Sequence, residues 1–220
     1  MIRFENVSIT YSQERSDVLK EASFHIPPGK MGFLLGKSGS GKTTVLRLLL
    51  RELVPEEGLI RVNGQDISRI RSRKLPEYRR KMGVIFQDYR LIKDQTVYEN
   101  VAIAKRIVGA GKKDTLSRVT MALRMVDMEK DFYRPVSELS GGEQQRVCIA
   151  RAIAGNPDCI LADEPTGNLD PEQARQIMLL LERINRTGIT VLVATHDTAA
   201  IRDMDHPKFY LEHGSIRIGE

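Results

Sequence analysis

The segment GKSGSGKT, Gly36 to Thr43, lies between an apolar strand-like run (Met31, Phe33, Leu34, Leu35) and an apolar helical pattern that begins near Lys42. A strand, a glycine-rich turn and a helix in that order belong to an α/β core. Gly36, Gly39 and Gly41 tolerate positive φ and let backbone amides converge on an anion, while the helix N-terminus adds unpaired N–H groups and its dipole. Together they read as a phosphate cradle. In such a cradle Lys42 reaches the β and γ phosphates of a nucleotide as a positive charge, and the Thr43 hydroxyl is a ligand for a bridging Mg²⁺. The alternative is a flexible Gly/Ser loop, and the flanking strand and helix argue against it.

Two further segments carry chemistry. LSGGEQQR, Leu139 to Arg146, sets Ser140 and Glu143 at capping-box spacing, and a helix over residues 144–154 would bury Val147, Ile149 and Ile153. Capping alone explains the serine and the glutamate. It does not explain Gly141 and Gly142, since each glycine disfavours helix by about 1 kcal/mol relative to alanine. They suit a helix end that another group approaches closely. CILADE, Cys159 to Glu164, reads as a buried strand ending in two adjacent carboxylates. Successive strand residues face opposite ways, so Asp163 and Glu164 need not share a job. For that pair alone, solvated surface is the competing reading.

In this order the three segments resemble the ATP-binding cassette (ABC) ATPases, and the resemblance implies further roles. ATP and Mg²⁺ are the implied cofactors. The nucleotide-binding set is Gly36, Lys37, Ser38, Gly39, Ser40, Gly41, Lys42, Thr43 and Thr44, with Gln87 after the strand Met82 to Phe86, and Tyr11 as a ring against adenine. Thr43, Gln87 and Asp163 serve Mg²⁺, Asp163 through water, and Glu164 is the general base for the attacking water. His196, after the apolar strand Ile189 to Ala194, is the switch histidine on the γ phosphate; with Lys42 and Glu164 it forms the catalytic set. Ser140, Gly141, Gly142 and Glu143, with Asn168 and Asp170, would act across a nucleotide-dependent homodimer. Each has a plainer alternative: Asp170 before Pro171 is also a good helix cap, and a ring at Tyr11 is also ordinary packing.

Composition sets limits. At 220 residues the chain can bury a sizeable core, and the motif order argues for one nucleotide-binding unit over residues 1–220. Cys148 and Cys159 lie in apolar patterns without C-x-x-C spacing and read as reduced core residues. No run approaches the roughly 20 apolar residues of a membrane span, so a membrane connection would come through a partner. The net charge of +5 includes a cluster at Arg69, Arg71, Arg73, Lys74, Arg79, Arg80 and Lys81. Without interleaved aromatics it reads as a solvated basic face, near anionic lipid headgroups at most, and no specific nucleic acid is expected.

The expected layout is a mostly parallel α/β core with an antiparallel N-terminal β subdomain and a helical subdomain, about residues 88–155, inserted in a RecA-like core. The Asn63-Gly64 turn predicts a hairpin, and Thr96-x-x-Glu99 opens a helix to about Val108. The first helix is expected to reach about Leu53, another helix to run from about Asp114 to Met128, and a last helix to follow the strand before His196. MIRFENVS, RRKMGVIFQD, QTVYENVA and ADEPTGNLD together resemble the FtsE-type cell-division ATPases within the ABC family. That likeness implies an integral membrane partner of the FtsX type, an extracytoplasmic cell-wall hydrolase or its regulator acting indirectly, and a place on the cytoplasmic face of the membrane at the division site. Tyr89, Leu91, Ile92 and Tyr98 are candidate partner contacts, with subdomain core as the alternative. The competing functions are a lipoprotein-release or macrolide-export ATPase, and a scaffold that binds nucleotide without turnover.

Overall fold

A computed structural model describes residues 1–10 and 17–219. Two sheets share the chain. The first is antiparallel, in the order β2-β1-β4-β5, from β1 (Ile2–Thr10), β2 (Asp17–Ile26), β4 (Glu57–Val62) and β5 (Gln65–Asp66). The second has β3 (Met31–Leu35), β6 (Met82–Ile85), β7 (Cys159–Asp163), β8 (Thr190–Thr195), β9 (Lys208–Glu212) and β10 (Ser215–Gly219), in the order β10-β9-β3-β8-β7-β6. Every pairing in it is parallel except the β9–β10 hairpin.

The parallel strands are buried on both faces, which is why they read as continuous apolar runs. Met31, Phe33 and Leu35 of β3, Ile160 and Ala162 of β7, and Val191 and Val193 of β8 face one core. The same core takes in α3 (Val97–Arg106), α4 (Lys112–Met125), α5 (Gly141–Ala154) and α6 (Pro171–Asn185). Leu34, Leu161 and Leu192 face the other, with Phe4 and Phe24 of the antiparallel sheet and Val45, Leu48 and Leu49 of α1 (Lys42–Leu49). A short α2 (Leu75–Arg79) precedes β6.

Local chemistry fixes the helix ends. Both expected capping boxes are complete, Thr96 with Glu99 and Ser140 with Glu143. Asn100, fully buried in α3, donates to the Ile92 and Thr96 carbonyls and accepts from the Ile92 amide. Cys148 and Cys159 are buried and unpaired, and burial pushes both thiols up to about 12.

Three expectations need correction. α1 stops at Leu49 instead of Leu53, because Arg51 turns left-handed (φ 57°) and the Tyr78 hydroxyl and Arg79 guanidinium take the Leu49, Leu50 and Arg51 carbonyls. Arg79 is thus a helix cap and no part of a freely solvated face. No helix follows β8: the Asp197 carboxylate takes the Ala199 and Ala200 amides, leaving only isolated turns before β9.

Candidate active site

In a parallel sheet the carboxyl ends of the strands gather on one edge, where ligands bind. Here Leu35 pairs with Thr195, Asp163 with Ala194, and Ile85 with Ala162, so the residues that follow these strands meet. The glycine-rich loop follows β3, His196 follows β8, Glu164 follows β7 and Gln87 follows β6.

The loop takes φ values of 78° at Gly39 and 104° at Gly41, the latter the left-handed N-cap of α1, where a side chain would strike Val18. Lys42, 6% exposed, folds back over its own loop: Nζ donates to the Gly36 carbonyl at 2.8 Å and the Lys37 carbonyl at 3.0 Å. The same Nζ lies 3.1 Å from Glu164 Oε1. Thr43 Oγ1 donates to Asp163 Oδ2 at 2.9 Å, and Thr44 is buried behind it.

The two adjacent carboxylates part company. Glu164 adopts φ 44°, its amide held by the Ala194 carbonyl, and its Oε2 lies 3.0 Å from His196 Nδ1. Burial would push its pKa up, but hydrogen bonds from His196 and Lys42, and their charge, hold it below the usual carboxylate value. Asp163 goes the other way. Burial, helped by the Glu164 charge, raises its pKa against the opposing Thr43 hydrogen bond. Its Oδ1 is buried with no hydrogen-bond partner. An orphaned carboxylate oxygen beside a hydroxyl oxygen is a hard donor set that fits Mg²⁺, which takes one or two carboxylates and completes its shell with water and phosphate.

Gln87 is exposed; its carbonyl accepts from Asn168 Nδ2 at 3.3 Å and its amide lies against Gly167. Asp170 caps α6, accepting from the Gln173 amide at 2.9 Å. Ser140 is exposed and bonded to the Glu143 carboxylate, which Arg134 also holds. Gly141 faces Tyr89 and Asn168, and Gly142 faces Gln173. None of Ser140 to Glu143 lines the open cleft of about 960 Å³ beside the phosphate loop, which is walled by residues 36–40, His196, Thr198 and residues 210–214. Tyr11 lies outside the described residues. Among the candidate partner contacts, Ile92 is exposed, Leu91 packs on the core, Tyr98 stacks on Phe132 at 4.7 Å, and the Tyr89 hydroxyl is buried.

Sequence reasoning missed two parts of this edge. The end of β9 and the turn after it, Glu212 to Gly214, form a wall of the cleft because β9 is parallel to β3, a pairing no local pattern announces. Tyr89 and Arg90 are both left-handed (φ 58° and 49°), held by Arg151 donating to their carbonyls at 2.6 and 2.5 Å. Positive φ at non-glycine residues leaves little trace in a sequence.

Fold and site define an α/β nucleotide-binding protein of the phosphate-loop type. The family model described as ABC transporter matches residues 19–167. The cell division ATP-binding protein FtsE of Escherichia coli (strain K12) is 47% identical over 222 residues, spanning 100% of this chain and 98% of that one. FtsE of Haemophilus influenzae is 44% identical over 217 residues, spanning 99% and 100%. The dimeric structure of MJ0796, a bacterial ABC transporter cassette, superposes with a TM-score of 0.88 at 35% identity, spanning 100% and 98%. A dimeric post-hydrolysis state of MJ0796 bound to ADP and Pi does so with a TM-score of 0.88 at 34% identity, with the same spans. The chain belongs to the ABC transporter family, and it is an ATPase.

Proposed function

We propose that the chain is the ATP-hydrolysing subunit of a cell-division complex, closing as a homodimer on ATP and driving an integral membrane partner of the FtsX type that regulates cell-wall hydrolysis. The observation that carries this reading is the 47% identity to a cell-division ATP-binding protein along the entire chain. The proposed location is the cytoplasmic face of the membrane at the division site, reached through the partner. No helix among the described residues is long and apolar enough to cross a membrane.

In the proposed chemistry the phosphate loop, residues 36–41, and Lys42 to Thr44 hold the triphosphate. Lys42 exchanges the Gly36 and Lys37 carbonyls and the Glu164 carboxylate for phosphate oxygens. Glu164, kept ionised, orients the attacking water and takes its proton; the water oxygen bonds to the γ phosphorus as the β–γ bridge breaks and ADP leaves. His196 holds the Glu164 carboxylate in place from its other side. Thr43 and Asp163, with Gln87, would hold Mg²⁺, which when bound neutralises phosphate charge.

Ser140, Gly141, Gly142 and Glu143, with Asn168 and Asp170, complete the nucleotide site of the opposite copy. Their position outside their own chain's cleft supports a role in trans. We take residues 1–220 as one nucleotide-binding unit with the helical segment, about 88–155, inserted between β6 and β7. The partner's cytoplasmic segment is assigned to an apolar groove of about 580 Å³ lined by Val84, Phe86, Ile103, Ile107 and Val108, with Arg79, Arg80 and Arg90 along it.

The test is to express tagged Glu164→Gln in the native host, add ATP, and identify the membrane protein that copurifies. A partner with a small extracytoplasmic domain bound to a wall-hydrolase regulator is the expected result. A partner carrying lipoprotein or drug would move the same ATPase to export.

A further inference from the structure

The chain's net positive charge arises in one short run. Residues 67–82 hold seven cations and one carboxylate, Glu77, a net of +6, so with +5 for the whole chain the other residues net −1. The run is a built platform. It consists of two 3-10 turns, Ile67–Arg69 and Ser72–Lys74, and α2, pinned to the end of α1 by the Tyr78 hydroxyl and the Arg79 guanidinium. Arg69 pairs with Asp66 at 3.0 Å and Lys74 with Glu77 at 2.8 Å. Arg71, Arg73, Arg80 and Lys81 are exposed and form no ion pair among the described residues. Glu77, the run's one carboxylate, is already paired with Lys74 and attracts Arg80 and Lys81 without a contact pair, so most of the run's positive charge is left uncompensated within it.

The platform also borders the apolar groove, since Pro76, Arg79 and Arg80 line it together with Phe86, Ile107 and Val108. We propose that this platform binds the anionic headgroups of the bilayer in which the membrane partner sits. The inference rests on the reading of the groove as the partner's seat, because that seat turns this face toward the membrane. Charge complementarity suits any polyanion, and continuity with the groove favours a lipid surface over nucleic acid. The one aromatic in the run, Tyr78, is turned inward with its hydroxyl on the Leu49 carbonyl and offers no ring for a base to stack on. Each lysine or arginine near an anionic leaflet strengthens binding by about fivefold, and the attraction fades within a Debye length as salt is added. Lipid contact would hold the cassette beneath the membrane with its groove facing the partner, raising the effective concentration of docking.

The experiment uses the full chain without any membrane protein, floated with vesicles of phosphatidylcholine containing phosphatidylglycerol or of phosphatidylcholine alone. The proposal expects binding to the anionic vesicles only, lost as salt rises from about 50 to about 500 mM. The triple variant Arg71→Gln, Arg73→Gln, Lys81→Gln, which spares the groove, should lower vesicle binding more than tenfold and leave ATP turnover unchanged. A control with as many charges removed elsewhere, Lys112→Gln, Lys113→Gln, Lys130→Gln, should bind as the parent chain does. Undiminished flotation of the first variant, equal loss in the control, equal binding to neutral vesicles, or preference for duplex DNA over anionic vesicles would each overturn the proposal. A chain that recruits its membrane partner yet never floats overturns the lipid surface alone. One that floats but recruits no partner overturns the partner assignment instead.

Discussion

Replacing Glu164 by glutamine should change stability, affinity and turnover in three separable ways. The Lys42–Glu164 contact spans 3.1 Å between side chains that are 6% and 11% exposed. Removing one partner of a buried pair costs about 3–5 kcal/mol. Here Lys42 keeps its Gly36 and Lys37 carbonyls, so we expect the loss to be about 1–2 kcal/mol, between an ordinary and a charge-assisted hydrogen bond. For a chain of this size the nucleotide-free melting temperature then falls by about 2–8 °C. ATP must displace the carboxylate from Lys42 in the parent chain but not in the variant, so ATP affinity rises by about 5–30-fold. Loss of the proposed general base should lower turnover by about 10²–10⁴-fold. Thermal shift with and without ATP, nucleotide titration by calorimetry, and phosphate release measure the three. Turnover within threefold of the parent would refute the base assignment. An unchanged melting temperature together with unchanged affinity would refute the claim that Glu164 restrains Lys42.

Lys42→Ala removes the cation proposed to reach the phosphates and should weaken ATP binding by at least about tenfold in calorimetry. The neighbouring carboxylates should answer pH with opposite signs. Glu164, held below the usual carboxylate range, contributes stability that is complete above that range and is lost as pH falls through its lower folded value. Asp163, pushed above its ordinary value, costs stability as pH rises through the window between the two. Asp163→Asn should therefore raise the nucleotide-free melting temperature at pH 7 while Glu164→Gln lowers it, and melting curves from pH 3.5 to 7 check both. Asn100→Leu strips the Ile92 amide and two carbonyls of their buried partner and should cost about 2–4 kcal/mol in urea unfolding.

What was legible in the sequence was chemistry carried by neighbours along the chain. The two capping boxes need only residues three apart, and both form as spaced. The parallel strands announce themselves as runs such as CILA, because burial on both faces removes the polar alternation. What escaped depends on residues far apart. Arg79 looks like one more surface cation until the end of α1, some thirty residues earlier, is seen to need its carbonyls covered. The helix expected after His196 fails because Asp197 offers the backbone a competing acceptor. The phosphate loop and both carboxylates could be picked out as candidates, but that Lys42 rests on Glu164 could not, since it follows from the registers that set β3 and β7 on either side of β8. The cleft's third wall, after β9, is of the same kind.

The account stands on a nucleotide site completed by a second copy, and mixing two inactive variants tests this most directly. Lys42→Ala has a disabled phosphate loop and an intact Ser140 segment; Ser140→Arg has the reverse. In a mixed dimer one site then combines the intact loop of one chain with the intact segment of the other. Neither variant alone should release phosphate from ATP, and the equimolar mixture should regain turnover that climbs with total protein concentration. A mixture as inactive as its components, from variants shown to be folded and able to pair, would contradict completion in trans.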